Sequence, residues 1–137
     1  MTSVWVHPRL GEVTLSQSMR ARRVSISVRA TGLVRLSFPR GVSQKRALAF
    51  LDEKAEWIEA ARADLPGRIA RLSEATGLKY EKLTIRASRT KWGSCSGRNH
   101  ISLSLFLMTL PEHLRDYVII HELCHTVHHN HSPRFHA

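Results

Sequence analysis

The sequence predicts an α+β domain with strands at the start, helices in the middle, and a further strand-and-helix unit at the end. Three observations predict this order. Residues 1–40 alternate apolar and polar side chains in short runs, and residues 43–77 repeat apolar side chains at helical spacing. Residues 82–137 return to alternation before an apolar helix. A chain of 137 residues can build its own core, so we expect a single domain over 1–137.

The first 40 residues carry the signals of an antiparallel β-meander. The run 23–29 alternates and places its three apolar side chains on one face of a strand. Gly32 supplies a turn, and the run 33–38 brings the chain back. We expect this meander to be buried on one face only.

Helical spacing of apolar residues predicts two helices within 43–77. Ser43 is a candidate N-cap, because its hydroxyl can accept a hydrogen bond from the first helical turn. Pro66 and Gly67 are expected to end the first helix, and Gly77 is expected to end the second. We interpret both helices as scaffold.

A β-hairpin is predicted in the next segment. The runs 82–87 and 100–105 both alternate, and the stretch 92–97 between them contains two glycines. We therefore expect two antiparallel strands joined by a long loop.

The last predicted helix contains the motif H-E-x-x-H. It is expected to begin at the capping-box pattern Thr109-Leu110-Pro111-Glu112 and to run through His121-Glu122-Leu123-Cys124-His125. Two histidines one helical turn apart project from the same face and can bind one Zn²⁺. Glu122 is placed to take a proton from the water that such a metal activates. A chance match is the alternative in a chain with nine histidines, but unpaired His and Glu are costly in an apolar helix.

A third metal ligand has to come from the histidines that follow. His131 is the preferred candidate, because Asn130 tolerates the left-handed conformation at a helix end and can turn the chain back toward the metal. The remaining candidates are His128, His129 and His136.

Two blocks of the sequence resemble one known family. His121-Glu122-Leu123-Cys124-His125, followed by Asn130-His131-Ser132-Pro133, is similar to the YgjP-type metallopeptidases, the WLM-like (DUF45) group of the zincins. The block Trp92-Gly93-Ser94-Cys95-Ser96 and the pair Asp116-Tyr117 agree with it. The resemblance is specific over about residues 85–135. It implies a zincin-like fold, one zinc ion per chain and a hydrolytic activity.

The resemblance also implies candidate substrate residues. In zincins a strand beside the metal-binding helix pairs with an extended peptide, and the predicted hairpin is the expected edge. Arg89 and Lys91 would then lie near the cleft and hold a carboxylate or phosphate, with Trp92 in the same loop. Tyr117 and Arg89 are candidates for stabilising the oxyanion. The alternative is that Arg89 and Trp92 only build the loop.

Three hypotheses of function follow, and the net charge of +10 bears on all of them. The first is a zinc peptidase with Glu122 as general base. The second is a metal-dependent nucleotide pyrophosphatase or phosphohydrolase, and the third is a basic nucleic-acid-binding module with a structural zinc. A basic chain favours anionic partners, namely nucleic acid, nucleotides or acidic peptides, although a solvated basic surface is the simpler reading. A metal site with an open position would favour either enzyme.

The remaining features concern location and chain ends. Cys95 and Cys124 are too few for a disulfide framework, which indicates a reducing, cytoplasmic location. The sequence contains no apolar stretch of about 18 residues, so no membrane span is expected. Members of the family continue into another helix, whereas this sequence stops at Ala137, so we expect a shortened form.

Overall fold

The computed structural model describes residues 2–127, which form one seven-stranded sheet, two α-helices and a short 3₁₀ helix. The strands are β1 (Thr2–His7), β2 (Gly11–Ser18), β3 (Ser25–Arg29), β4 (Val34–Pro39), β5 (Lys82–Arg86), β6 (Gly93–Cys95) and β7 (His100–Ser104). The helices are α1 (Gln44–Thr76) and α2 (Glu112–Cys124), and the 3₁₀ helix is Leu105–Thr109. The α+β class predicted from the sequence is confirmed.

One core joins the inner face of the sheet to the helices. Every second residue of β3, β4 and β5 is buried, as the alternation predicts, and α1 contributes the apolar side chains of one face. The largest fully buried side chains from α1 are Leu51, Ile58, Leu65 and Ile69. Burial of each such side chain stabilises the fold by about 1.5–3 kcal/mol.

The predicted antiparallel meander of residues 1–40 is wrong in its strand order. The order across the sheet is β1-β2-β4-β3-β5-β7-β6, so β4 lies between β2 and β3. β1 and β2 are antiparallel, and so are β3 and β4, but β2 and β4 run parallel. Alternation fixes the face to which a residue points and does not choose the neighbouring strand. Either neighbour would bury the same residues of β2.

The predicted hairpin between 82 and 105 is also corrected. β5 and β7 are neighbours, but they run parallel from Lys82↔His100 to Arg86↔Ser104. The segment expected to be a loop contains β6, which pairs antiparallel with the other side of β7. The true hairpin is therefore β6–β7, and its turn includes Asn99 at φ 61°. β6 has only three residues and includes Gly93, so it gives almost no alternation to detect.

The two helices predicted within 43–77 are a single helix. α1 continues through Pro66, although proline inside a helix costs about 3 kcal/mol. Leu65 and Ile69 on either side of it are fully buried, and Arg68 binds Asp64 one turn earlier. These interactions offset the cost of Pro66.

The predicted ends of this helical segment are confirmed. The Ser43 hydroxyl accepts a hydrogen bond of 3.2 Å from the Arg46 N–H. Gly77 adopts the left-handed conformation at φ 75°, and its N–H donates to the Ser73 carbonyl. The outer bounds of α1 follow from these two residues.

The predicted capping box at the start of α2 is wrong. Thr109 ends the 3₁₀ helix, and its hydroxyl donates a 2.6 Å hydrogen bond to the Phe106 carbonyl. α2 begins after Pro111 without a side-chain cap. Its first turns are held by Arg68 of α1, which donates 2.8 Å hydrogen bonds to Glu112 and Asp116. No helix within residues 2–127 is both long and apolar enough to cross a membrane.

Candidate active site

The two histidines of H-E-x-x-H are neighbours at the C-terminal end of α2. The ring centroids of His121 and His125 are 5.0 Å apart, with the ring planes at 82°. His125 is the C-cap residue, and its φ of −67° and ψ of −16° continue the helical geometry. Its N–H donates a 3.1 Å hydrogen bond to the Glu122 carbonyl. Because the backbone stays helical, the two imidazoles lie one turn apart on one side of the helix end.

Glu122 is buried between α2 and the sheet, with 7% of the residue exposed. It lies close to β6, where a Cβ built on Gly93 would stand 3.0 Å from the Glu122 Cγ. A Cβ at this position would therefore require Glu122 or the strand to shift by a few tenths of an ångström. Glycine at residue 93 lets the backbone of β6 approach Glu122 without this displacement.

Cys95 shares the inner side of β6 with Gly93, two residues along the strand. Burial raises the pKa of the Cys95 thiol, and the negative charge of Glu122 raises it further. Cys95 and Cys124 are both free thiols. The two cysteines therefore do not form a disulfide with each other in the structure.

Tyr117 lies one turn before His121 on α2. The two rings are stacked, with centroids 6.5 Å apart and planes at 26°. Tyr117 is 67% exposed, so its hydroxyl is open to solvent beside the imidazoles. Tyr117 is one of the two candidates that the sequence offered for stabilising the oxyanion, and the stacking places its ring next to His121.

Arg89, Lys91 and Trp92 belong to the loop that leads into β6. They line a cleft of about 440 Å³ together with Phe106. The Arg89 guanidinium carbon lies 5.5 Å from the centroid of the Phe106 ring. Trp92 is 46% exposed, and its carbonyl accepts a 2.9 Å hydrogen bond from the Ser104 N–H. The loop is thus anchored to the end of β7 and exposes its cationic and aromatic side chains.

The donor set fits a zinc site in part. His121 and His125 are nitrogen ligands of the kind that Zn²⁺ prefers, and they are close enough to share one ion. Within residues 2–127 no three His, Cys, Asp or Glu side chains form a group that could hold a metal ion. The predicted third ligand, His131, lies outside the described residues, as do its alternatives His128, His129 and His136.

Comparison with known families shows to which family the chain belongs. A family model described as a YgjP-like metallopeptidase domain matches residues 59–137, more than half of the chain. The chain belongs to the YgjP-like metallopeptidase family. Searches of curated proteins and of solved structures gave no match. The resemblance noted in the two sequence blocks is therefore confirmed, and this YgjP-like protein is assigned to the metal-dependent hydrolases.

The family match covers the part of the YgjP-like protein that contains the candidate site. It includes the second half of α1, the strands β5, β6 and β7, and all of α2. Sequence reasoning missed the contact between Gly93 and Glu122. The Trp92-Gly93-Ser94-Cys95-Ser96 block marked this glycine as part of a motif. The motif alone does not show which side chain lies against the glycine.

Proposed function

We propose that this YgjP-like protein is a zinc-dependent peptidase with Glu122 as its general base. The observation that carries the proposal is the position of Glu122. It is buried, it follows His121 directly in α2, and its Cγ lies close to the backbone of β6 at Gly93. A general base needs this combination of an adjacent metal site and an adjacent substrate edge.

His121 and His125 are the first two proposed ligands, and His131 is the proposed third. Three histidines would leave the fourth position of a tetrahedral site open to water and substrate. When bound, the zinc ion lowers the pKa of a water molecule to about 7 and polarises the scissile carbonyl.

The substrate is proposed to bind as an additional strand on β6. Within residues 2–127, β6 is the last strand of the sheet and has a strand neighbour only on the β7 side. An extended peptide can form backbone hydrogen bonds with such an edge. Because Gly93 brings β6 into contact with Glu122, this placement brings the scissile bond next to the carboxylate.

The chemical roles follow from these positions. Glu122 accepts a proton from the attacking water and delivers it to the leaving amine. Tyr117, stacked beside His121, is the proposed hydrogen-bond donor to the oxyanion. Arg89 and Lys91 attract anionic substrates to the loop before β6, and Trp92 offers an exposed apolar surface. The family match gives no support to a nucleotide substrate or to a nucleic-acid-binding module.

The test compares the purified chain with Glu122→Gln, after both have been loaded with zinc. Elemental analysis is expected to find one zinc per chain in each protein. Hydrolysis of an internally quenched peptide library is expected to fall by about 100-fold or more in Glu122→Gln, because general-base catalysis contributes about 10²–10⁴-fold. Glu81→Gln removes an exposed carboxylate and is expected to keep full activity.

Two results would contradict the proposal. Undiminished hydrolysis by Glu122→Gln would exclude Glu122 as the base. A zinc-loaded protein that cleaves nucleoside triphosphates but no peptide would show that the substrate class is wrong.

A further inference from the structure

A small cavity on the outer face of the sheet lies next to the proposed substrate edge. Its volume is about 180 Å³, and its lining includes the outward-facing residues of β5, β6 and β7. Ser94 and Ser102 are register partners on β6 and β7, and Arg86 of β5 donates from Nε to the Ser102 hydroxyl at 3.4 Å. These three side chains therefore share one face of the sheet. Glu122 lies on the opposite face, against Gly93.

The donor set of this cavity is that of an anion site. Arg86 and Lys91 provide two cations, and Ser88, Ser94 and Ser102 provide hydroxyl groups. The described residues that line it include no Asp or Glu. Ser104 is 1% exposed, and its hydroxyl donates a 2.6 Å hydrogen bond to the Ser88 carbonyl. This bond fixes the start of the loop that carries Lys91.

Positive charge around the cavity is reinforced from the neighbouring surface. A second cavity of about 520 Å³ shares Arg86 and Ser88 with the first and adds Arg23 and Arg89. The ion pairs of Arg9 with Glu59 and of Arg68 with three carboxylates lie elsewhere, along α1 and α2. The positive charge of this surface is therefore expected to attract anions.

We propose that this pocket, which we call the Arg86–Lys91 pocket, selects peptide substrates with an acidic side chain beside the scissile residue. The argument rests on the proposed peptidase function and on strand geometry. Successive side chains of a peptide added to β6 point to opposite faces of the sheet. When one residue faces Glu122, its neighbour faces the outer side of the sheet. Ser94 of β6 lies on that side, and Arg86 reaches across from β5 to Ser102 of β7. A carboxylate at that neighbouring position would bind both cations.

The test uses peptides that differ only in having Glu or Gln at each position around the cleaved bond. We expect Glu to raise kcat/KM by about tenfold at one position adjacent to the scissile residue, mainly through KM, since hydrogen bonds to charged groups discriminate at least this strongly. Arg86→Gln is expected to remove most of this preference, while leaving cleavage of the Gln peptide unchanged. Lys91→Gln is expected to weaken the preference as well.

Lys82→Gln is the matched control. Lys82 is exposed on the same face of β5 as Arg86, four residues earlier, so the substitution removes the same charge at a distance of about 13 Å. It is expected to keep the preference for Glu. Equal rates for the Glu and Gln peptides, or a loss in Lys82→Gln as large as in Arg86→Gln, would overturn the proposal.

Binding to Glu122→Gln separates this inference from the proposed function. Fluorescence anisotropy with the Glu and Gln peptides measures selectivity without turnover. Selective binding of the Glu peptide with no cleavage by the parent protein would keep the pocket and overturn the peptidase function. Cleavage of both peptides at equal rates, with equal binding, would keep the function and overturn the pocket.

Discussion

Gly93 on the edge strand lies so close to Glu122 on α2 that a side chain at residue 93 would crowd the glutamate. A Cβ at residue 93 would lie 3.0 Å from the Glu122 Cγ and 3.1 Å from the Ser102 carbonyl oxygen. The first neighbour is a side chain that can move, but the second is the backbone of the adjacent strand. The glycine therefore sets how closely the substrate edge can approach the proposed base.

Gly93→Ala is expected to lower peptide hydrolysis by about tenfold or more, because a small displacement of catalytic groups has effects of this order. Zinc content should be unchanged, since the three atoms nearest to a Cβ at residue 93 belong to Glu122, Ser102 and Leu103 and not to an imidazole. Gly97→Ala is the control: its Cβ would meet no atom within 4 Å, and it lies in the turn that follows β6. Equal activity in the two variants would show that the close approach has no role in catalysis.

His131→Ala is expected to weaken zinc binding by more than about 100-fold, which exceeds the usual cost of losing an outer-shell partner. Competition with a chromophoric chelator measures this affinity. His113→Ala, at the exposed start of α2, is the control and should bind zinc as the parent does. If His131→Ala also bound zinc normally, the third ligand would be one of the neighbouring histidines.

Arg68→Ala is expected to lower the free energy of unfolding by about 2–4 kcal/mol. The Arg68 side chain is 7% exposed and joins Asp64 of α1 to Glu112 and Asp116 of α2. Its removal would leave three carboxylates together. Urea denaturation measures the loss, and Arg46→Ala, an exposed arginine of the same helix, should change stability by no more than about 0.5 kcal/mol. A similar small change in Arg68→Ala would show that this ion-pair cluster does not hold α2 to α1.

The stability of the protein is expected to fall at acid pH through Asp64. The hydrogen bonds from Arg68 lower the pKa of Asp64 below its ordinary value of 3.8, although burial acts in the opposite direction. A carboxyl group with a lower pKa in the folded state contributes stability above its unfolded pKa. This contribution is lost as the pH falls through the folded value. Asp64→Asn should therefore be less stable than the parent at pH 7, and the difference should shrink below about pH 4. A constant difference down to pH 2 would contradict this assignment.

Sequence reasoning succeeded where the evidence was local. Alternation located β3 and β5, and the Ser43 and Gly77 signals fixed the ends of α1. The i, i+4 spacing of His121 and His125 was enough to predict neighbouring rings, because helix geometry alone determines it.

Sequence reasoning failed where contacts between residues distant in the sequence determine the structure. β4 lies between β2 and β3 because of pairing along whole strands, which no local pattern encodes. Pro66 stays inside α1, whose neighbouring Arg68 forms ion pairs with Asp64 of the same helix and Asp116 of α2. Asp116 is distant in the sequence, so no local pattern reveals this contact. The candidate site shows the same division: the residues of H-E-x-x-H were visible in the sequence, but the contact between Gly93 and Glu122 required the fold.

The pairing of β3 with β5 bears on any attempt to isolate the catalytic region. The family match begins at residue 59, so its boundary falls inside α1 and leaves out β1–β4. A gene segment that encodes only 59–137 would give β5 no partner on its β3 side and would cut the helix that covers the core. An unpaired edge of this kind invites association between copies. Recombinant work on the matched region should therefore carry the N-terminal strands with it.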